Sequence, residues 1–146
     1  MPDLERALQI AVKAHAGAKD KSGTPYIFHP IRVMMRCRTE EAKIVALLHD
    51  VVEDTDITFD DLIDEGFSGS VIAALRLVTH AEEDSYDAYV EKIAVNPLAV
   101  EVKLADLEDN SDIRRLKVVD QNSVERFSKY LRAYRFLTGE TATPKA

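Results

Sequence analysis

Two histidines and two aspartates in three separate segments carry the most visible chemistry of this sequence. His49-Asp50 ends the apolar run KIVALL, where packing alone favours leucine or valine. A buried imidazole beside a buried carboxylate needs partners, and a metal cation supplies one for each. His29, in the proline-flanked segment PYIFHP, and Asp106, in VEVKLADLEDN, add a second imidazole and a second carboxylate. This mixed set predicts a site for a divalent ion such as Mn²⁺, Fe²⁺ or Zn²⁺.

Two further acids and two lysines extend the predicted site. Glu53 and Asp54 follow His49 and Asp50 by four residues each, the spacing that puts side chains on one helical face. A bound ion lowers the pKa of water and draws charge off a phosphoryl oxygen, and either acid can orient that water or accept its proton. Lys19 and Lys21 can compensate phosphates that the carboxylates alone would repel. These residue types are compatible with acid–base chemistry at a metal-bound water.

The elements that must position these residues are predicted to be helices. Apolar residues recur with helical periodicity along most of the chain, and no convincing strand pattern is present. Capping residues and glycines mark the ends of these helices. Asp3 and Gly17 are predicted to start and end the first helix. Thr58 with Asp61 forms a capping box that starts a later helix, which Gly66 is predicted to end. The segment EAKIVALLHDVVED is predicted to be one buried helix. The remaining predicted helices are 30–36, 59–65, 70–80, 86–94, 97–110 and 122–137.

Composition restricts the class of protein. The chain has 146 residues, one cysteine, and 26 acidic against 19 basic residues, for a formal net charge of −7. That charge disfavours nucleic acid as a partner, while a local basic cluster and a bound cation still permit a small phosphorylated substrate. A single cysteine excludes an intramolecular disulfide and a cysteine zinc cluster. With no signal peptide and no membrane-length apolar run, we expect a cytoplasmic protein with no membrane partner. The sequence leaves the oligomeric state open.

The order H…HD…D resembles the signature of the HD phosphohydrolase superfamily. The segments HAGAKDKSGTPYIFHP, ALLHDVVEDTDIT and VKLADLEDN are similar to the hydrolase domain of RelA/SpoT-type proteins, and more so to stand-alone small alarmone hydrolases. The similarity extends from about residue 8 to residue 138. The resemblance implies an all-α, single-domain HD-type helical bundle. We expect this domain over residues 1–139 and a flexible C-terminal tail over residues 140–146.

The resemblance also implies roles for individual residues. It implies that Mn²⁺, or another divalent ion, is bound, and that Glu53 and Asp54 lie beside it and position or activate the attacking water. The family reaction releases pyrophosphate from guanosine 3′,5′-bis(diphosphate) or its triphosphate analogue, leaving GDP or GTP. The implied metal ligands are His29, His49, Asp50 and Asp106. The expected substrate-binding residues are Lys19, Lys21, Ser22, Asn110 and Tyr130.

One segment departs from the family pattern H-x-G-Q-x-R-K-x-G. Ala18 replaces the glutamine, and Asp20 stands where an arginine normally packs on the purine. Lys19 lacks the planar face that stacks on a base. Another substrate therefore remains open: an adenosine alarmone, a nucleoside monophosphate or the 2′-phosphate of NADPH. A third interpretation is a nucleotide sensor that binds without catalysis.

Overall fold

Helices form all the regular elements of residues 2–145, the part of the chain that this computed structural model describes. Within those residues the only β pairing is an isolated bridge between Lys19 and Pro25. The predicted all-α class is thereby confirmed. The helices are α1 (Leu4–Ala14), α2 (Phe28–Arg36), α3 (Glu40–Leu48), α4 (Val51–Asp54), α5 (Phe59–Glu65), α6 (Gly69–Val78), α7 (Tyr86–Ile93), α8 (Pro97–Asn110) and α9 (Gln121–Leu137), with a 3₁₀ turn at Ile113–Arg115.

Side-chain caps set most helix starts. Thr58 and Asp61 form the predicted capping box, in which each side chain accepts from the other's backbone N–H, and Gly66 ends α5 with φ of 97°. That left-handed conformation favours glycine because it has no Cβ. Other caps accept a backbone N–H three residues on, which satisfies a donor that has no partner within the helix. These caps are Asp3, Thr39, Ser68, Ser85, Asn96 and Asp120.

The prediction of one helix over 41–54 is wrong, because the chain breaks at His49-Asp50. Helix α3 ends at Leu48 and α4 begins at Val51. The backbone at Asp50 has φ −95° and ψ −6°, which departs from helical values. The break lets two adjacent side chains turn towards the same point rather than diverge by the 100° of a regular helix.

A smaller difference is that α2 begins at Phe28, two residues before the predicted start, and accommodates Pro30 in its first turn.

Helix α3 lies at the centre of the molecule and packs against α1, α2, α6 and α8. Its residues Ile44–Leu48 are buried without interruption, so apolar side chains cover its whole circumference. The result is a single bundle around one core. The surrounding helices hold the two ends of α3 in place, and the polar pair that follows Leu48 is placed where α2 and α8 meet it.

Cys37 lies at the C-terminal end of α2 and is buried. Its thiol donates to the Val33 carbonyl over 3.4 Å. Burial raises the pKa of the thiol to about 12, so it stays protonated and unreactive in the fold.

The predicted domain boundary at residue 139 stays a prediction, and residues 1 and 146 of those ranges lie outside the described residues. Within the expected tail, Pro144 is buried. None of the helices in residues 2–145 combines the length and apolar character needed to cross a bilayer.

Candidate metal centre and substrate pocket

The four predicted metal ligands converge on one point. The first turn of α2 carries His29, and α8 carries Asp106. His29 Nε2 lies 3.0 Å from Asp106 Oδ1 and 3.6 Å from Asp50 Oδ2. His49 Nε2 lies 3.2 Å from Asp50 Oδ2 and 3.3 Å from Asp106 Oδ1. All four residues are buried. Two imidazole nitrogens and two carboxylate oxygens thus surround a common space.

The bonding of His49 indicates what this space accommodates. Its Nδ1 lies 2.6 Å from the Ala46 carbonyl oxygen, which can only accept, so Nδ1 carries the proton. Its Nε2 is buried and has no hydrogen-bond partner among the described residues. In the neutral ring this nitrogen presents a lone pair to two carboxylates, an arrangement that repels unless a cation lies between them. Ligand atoms of His29, His49 and Asp50 all lie within 4.8 Å of one another, a donor set that fits a divalent metal ion. Asp106 joins this group through its contacts with the two imidazoles.

The pKa shifts within the cluster also indicate that the site requires positive charge. Burial by itself lowers the pKa of His49, but Asp50 and Asp106 outweigh it and raise that pKa to about 10. Burial raises the pKa of Asp106, yet Lys103 and the two imidazoles hold it well below its usual range. Without an ion, the two carboxylates draw protons onto the imidazoles, which then supply the positive charge that the site requires.

Lys103 and Asn110 hold Asp106 from either side along α8. Lys103 is buried, and its Nζ donates to Asp106 Oδ2 over 2.9 Å while lying 5.2 Å from the centre of the Tyr89 ring. Asn110 Nδ2 donates to Asp106 Oδ1 over 3.1 Å. Each oxygen of Asp106 therefore has a fixed direction. Asn110, predicted to bind substrate, contacts the metal centre and also lines the adjacent pocket.

Glu53 and Asp54 lie on the short helix α4, and their side chains reach solvent. Partial burial and the neighbouring Asp50 raise the pKa of both carboxyl groups. Asp54 N donates to the Asp50 carbonyl at 2.9 Å, so these two residues are one helical turn apart. Both are placed beside the metal centre on an accessible surface, as a group that exchanges a proton with water requires.

A cavity of about 340 Å³ adjoins the centre. Tyr26 connects the two, because it lines the cavity and its hydroxyl donates to Asp50 Oδ2. Arg115 and Arg126 add positive charge to the two predicted lysines. A larger cleft, of about 780 Å³, lies between α1 and α5 and contains none of the predicted site residues. The smaller cavity brings together all five predicted substrate-binding residues: Lys19, Lys21, Ser22, Asn110 and Tyr130.

Asp20 does not present a free carboxylate to this cavity. Its Oδ1 accepts from Ser22 N at 2.9 Å, Ser22 Oγ at 2.7 Å and Thr24 N at 3.0 Å. Its Oδ2 lies 3.7 Å from Arg115 Nη2. Burial raises the pKa of Asp20, but these hydrogen bonds outweigh it and lower that pKa. Asp20 therefore shapes the loop of residues 20–24.

Sequence reasoning missed three residues that contact the metal centre. Tyr26 bonds Asp50, Lys103 bonds Asp106, and Asp109 bonds His29. Two of them carried a usable signal: Lys103 and Asp109 lie three residues on either side of Asp106, so all three share one face of α8. The other buried residues of α8 are apolar, which makes three buried charged residues on this helix unusual.

Comparison with known proteins gives a consistent picture. No protein-family model matches the chain. It is 30% identical over 139 residues to an Aquifex aeolicus protein named guanosine-3′,5′-bis(diphosphate) 3′-pyrophosphohydrolase, an alignment that covers 87% of this chain and 20% of that protein. A Vibrio cholerae protein of the same name is 34% identical over 122 residues, an alignment that covers 73% of this chain and 17% of that protein. The bifunctional (p)ppGpp synthase/hydrolase SpoT of Escherichia coli is 31% identical over 125 residues, with the same coverage of 73% and 17%.

The chain thus spans a fifth or less of the length of these relatives. A solved structure supports the fold over nearly the whole chain. It is described as a metazoan ortholog of SpoT that hydrolyzes ppGpp. The two superpose with a TM-score of 0.77 at 28% identity, and the match covers 99% of this chain and 92% of the other. The predicted HD-type bundle is confirmed by this likeness.

Proposed function

The chain is an HD-type RelA/SpoT hydrolase-like protein, and from this premise we propose that it is a metal-dependent phosphohydrolase. Its proposed substrates are guanosine 3′,5′-bis(diphosphate) and the triphosphate analogue, from which it releases pyrophosphate to leave GDP or GTP. The single observation that carries this proposal is the convergence of two imidazoles and two carboxylates beside a cavity lined by lysine and arginine.

His29, His49, Asp50 and Asp106 are the proposed ligands of a divalent ion, and Mn²⁺ is the proposed ion. Such an ion supplies a lowered pKa for bound water and positive charge for a phosphoryl oxygen. The protein's own contribution is to fix the ligand atoms. Lys103 and Asn110 direct the oxygens of Asp106, and the Tyr26 hydroxyl directs Asp50. Fixed ligands need little reorganisation during the reaction, which is how a preorganised site lowers a barrier.

Glu53 and Asp54 are the proposed acid–base pair. A carboxylate oxygen of one would accept a proton from the water that attacks the 3′-linked phosphorus. The same group or its neighbour would donate a proton to the ribose 3′-oxygen as its bond to that phosphorus breaks, which gives pyrophosphate and GDP or GTP. Their pKa values are raised by partial burial and by Asp50. A raised pKa makes a carboxylate a stronger base, which suits it to this transfer near neutral pH.

The cavity residues are proposed to hold the nucleotide. Lys19, Lys21, Arg115 and Arg126 would balance the phosphates, although the chain as a whole has a formal net charge of −7. Asn110 has a second N–H for a ribose or phosphate oxygen, and Ser22 Oγ, whose own proton goes to Asp20, can accept from a ribose hydroxyl. Tyr130 offers a flat face to the base. The arrangement needs no glycine-rich phosphate loop.

A product assay tests the proposal. Purified protein is freed of metal with EDTA, reloaded with Mn²⁺, and incubated with guanosine and adenosine polyphosphates, nucleoside monophosphates and NADPH. We expect pyrophosphate from the two guanosine 3′-diphosphates, no product in EDTA, and recovery on adding Mn²⁺. Turnover of other nucleotides with both guanosine compounds left intact would contradict the proposed substrate. Tight binding of those compounds without product would favour a sensor.

The second candidate is a phosphatase acting on a non-guanosine nucleotide, and Asp20 favours it. An arginine at this position would offer a planar cation to a purine. Here a carboxylate closes the loop instead. Asp20→Arg should raise the preference for guanosine over adenosine compounds, with Asp20→Asn as the control that disturbs the loop without adding a guanidinium. Unchanged preference and rate in both variants would remove Asp20 from the question of specificity.

A further inference from the structure

Asp109 is a fully buried carboxylate (0% exposed) on α8, one turn beyond Asp106. Its Oδ1 accepts from Arg32 Nε at 2.8 Å and Arg36 Nη1 at 3.0 Å. Its Oδ2 accepts from Arg32 Nη2 at 3.1 Å and Arg115 Nη1 at 2.9 Å, and lies 2.6 Å from His29 Nδ1. Five donor contacts therefore converge on two oxygens.

Such burial needs an explanation, because an isolated charged carboxylate is strongly disfavoured in a protein interior. Three guanidinium groups compensate the charge of Asp109, and they would do so without any histidine. The arginines already link α2 to α8 through Asp109, so the hydrogen bond to His29 is not needed to join the two helices. It is the shortest of the five contacts and the only one with a group of the metal centre.

The contact determines the state of the His29 ring. With its proton on Nδ1 and donated to Asp109, the ring keeps a lone pair on Nε2, which points to Asp106 Oδ1 at 3.0 Å. His49 uses the same device with a different acceptor, since its Nδ1 donates to the Ala46 carbonyl. A carboxylate or carbonyl behind a metal-binding imidazole fixes both its tautomer and its orientation.

We propose that Asp109 is a positioning residue, which holds His29 with Nε2 free for a divalent ion. Arg115 extends the arrangement to the substrate cavity. Its Nη1 contacts Asp109 Oδ2 and the Asp109 carbonyl, and its Nη2 lies 3.7 Å from Asp20 Oδ2. One guanidinium therefore spans from the residue behind His29 to the loop of residues 20–24. The proposal rests on the metal site of the proposed function but not on the identity of the nucleotide.

The test compares Asp109→Asn with Arg36→Gln by calorimetric titration of Mn²⁺. Asparagine keeps the shape of aspartate, but it has one acceptor oxygen and an NH₂ group that must face a donor. We expect Asp109→Asn to weaken Mn²⁺ binding by about 10–100-fold. Arg36→Gln breaks a contact of the same carboxylate on the oxygen that does not touch His29. It should leave Mn²⁺ affinity within about threefold of the wild-type value, although both variants lose thermal stability.

Folded Asp109→Asn protein that binds Mn²⁺ as tightly as the wild type would overturn the proposal, as would equal losses in both variants. A second measurement needs no variant. In wild-type protein loaded with diamagnetic Zn²⁺, ¹⁵N-resolved NMR should detect the ring N–H proton of His29 on Nδ1. The resonance of this proton should lie downfield, and the proton should exchange slowly with solvent. A proton on Nε2 would overturn the proposal. Because neither measurement involves a nucleotide, absence of ppGpp hydrolysis would contradict the proposed function and leave this result standing.

Discussion

The metal centre and the substrate cavity are neighbours built on opposite principles. In the centre, buried side chains have a fixed partner behind them. Ala46 lies behind His49 and Tyr26 behind Asp50, at the break between α3 and α4. In the cavity, Lys19 and Lys21 are exposed on a loop, and Tyr130 is half-buried on α9. Long exposed side chains lose conformational freedom when a ligand orders them, whereas the centre has lost it already on folding. Changes in the centre should therefore abolish activity, and changes in the cavity should only tune it.

Asp106→Asn should give the largest effect. The substitution removes a ligand charge and leaves Lys103 buried opposite an amide, so we expect loss of Mn²⁺ binding and a fall in kcat/KM that exceeds the roughly 10–100-fold cost of a lost supporting contact. Pyrophosphate release from ppGpp measures it. Glu108→Gln, an exposed change on the same helix, is the matched control and should retain activity. Comparable activity in the two variants would contradict a metal role for Asp106.

Lys103→Met tests the centre through stability. Removing one member of a buried pair leaves the other uncompensated, which costs about 3–5 kcal/mol. We expect the lower end of that range because Asp106 keeps His29 and Asn110 as partners. Urea unfolding in EDTA measures the loss, and saturating Mn²⁺ should reduce it by supplying another cation.

The control for this experiment is Lys92→Met, which breaks the exposed pair with Asp84. Its cost should stay below about 1 kcal/mol, with no dependence on Mn²⁺. A loss for Lys103→Met as small as that of the control would show that the buried ammonium does not balance Asp106.

The pH dependence of the metal-free protein should reveal the charge on His49. Its pKa is raised to about 10 in the fold, against roughly 6.5 in an unfolded chain. A raised pKa contributes stability that is complete below the unfolded value and is lost as pH rises through the folded one. The free energy of unfolding in EDTA should therefore fall between about pH 6.5 and the folded pKa. Mn²⁺-saturated protein should lack this decline, because ligation favours the neutral ring. A flat profile in EDTA would contradict the prediction.

Lys21→Ala should give the smallest effect. An exposed lysine contributes at most about 1 kcal/mol to an ionic contact, so KM for ppGpp should rise by less than about fivefold while kcat stays unchanged. The effect should diminish in high salt because mobile ions screen exposed charges. Lys13→Ala, an exposed lysine on α1, serves as the control and should leave KM unchanged. A large fall in kcat for Lys21→Ala would contradict the expectation that changes in the cavity affect activity less than changes in the metal centre.

Local signals made much of the fold predictable. The capping box of Thr58 and Asp61 and the Asn96-Pro97 start of α8 depend on residues three or four positions apart, so the sequence displays them directly. The break after Leu48 depends instead on what His49 and Asp50 meet in space. Apolar periodicity continues through the break and gives no sign of it.

The same distinction applies to the site. The expected ligands were recognisable because polar residues interrupt apolar runs, and the structure brings all four together. The surroundings of Asp109 were not recognisable, because Arg32 and Arg36 precede it by more than seventy positions. Asp20 likewise suggested an acid facing a base, whereas its hydrogen bonds turn it towards its own loop.

The buried thiol of Cys37 provides a way to measure how often helix α2 opens. It is the only cysteine in the chain, and it directly follows Arg36, the last residue of the helix that carries His29. Reagents that alkylate thiols can modify it only when α2 separates from its neighbours, so the rate of alkylation reports how often that helix opens. If ion binding fastens α2 to α8, the modification should slow as the ion is added. A single chemical label would then measure, without any nucleotide, how firmly the end of the bundle that carries the proposed metal site is closed.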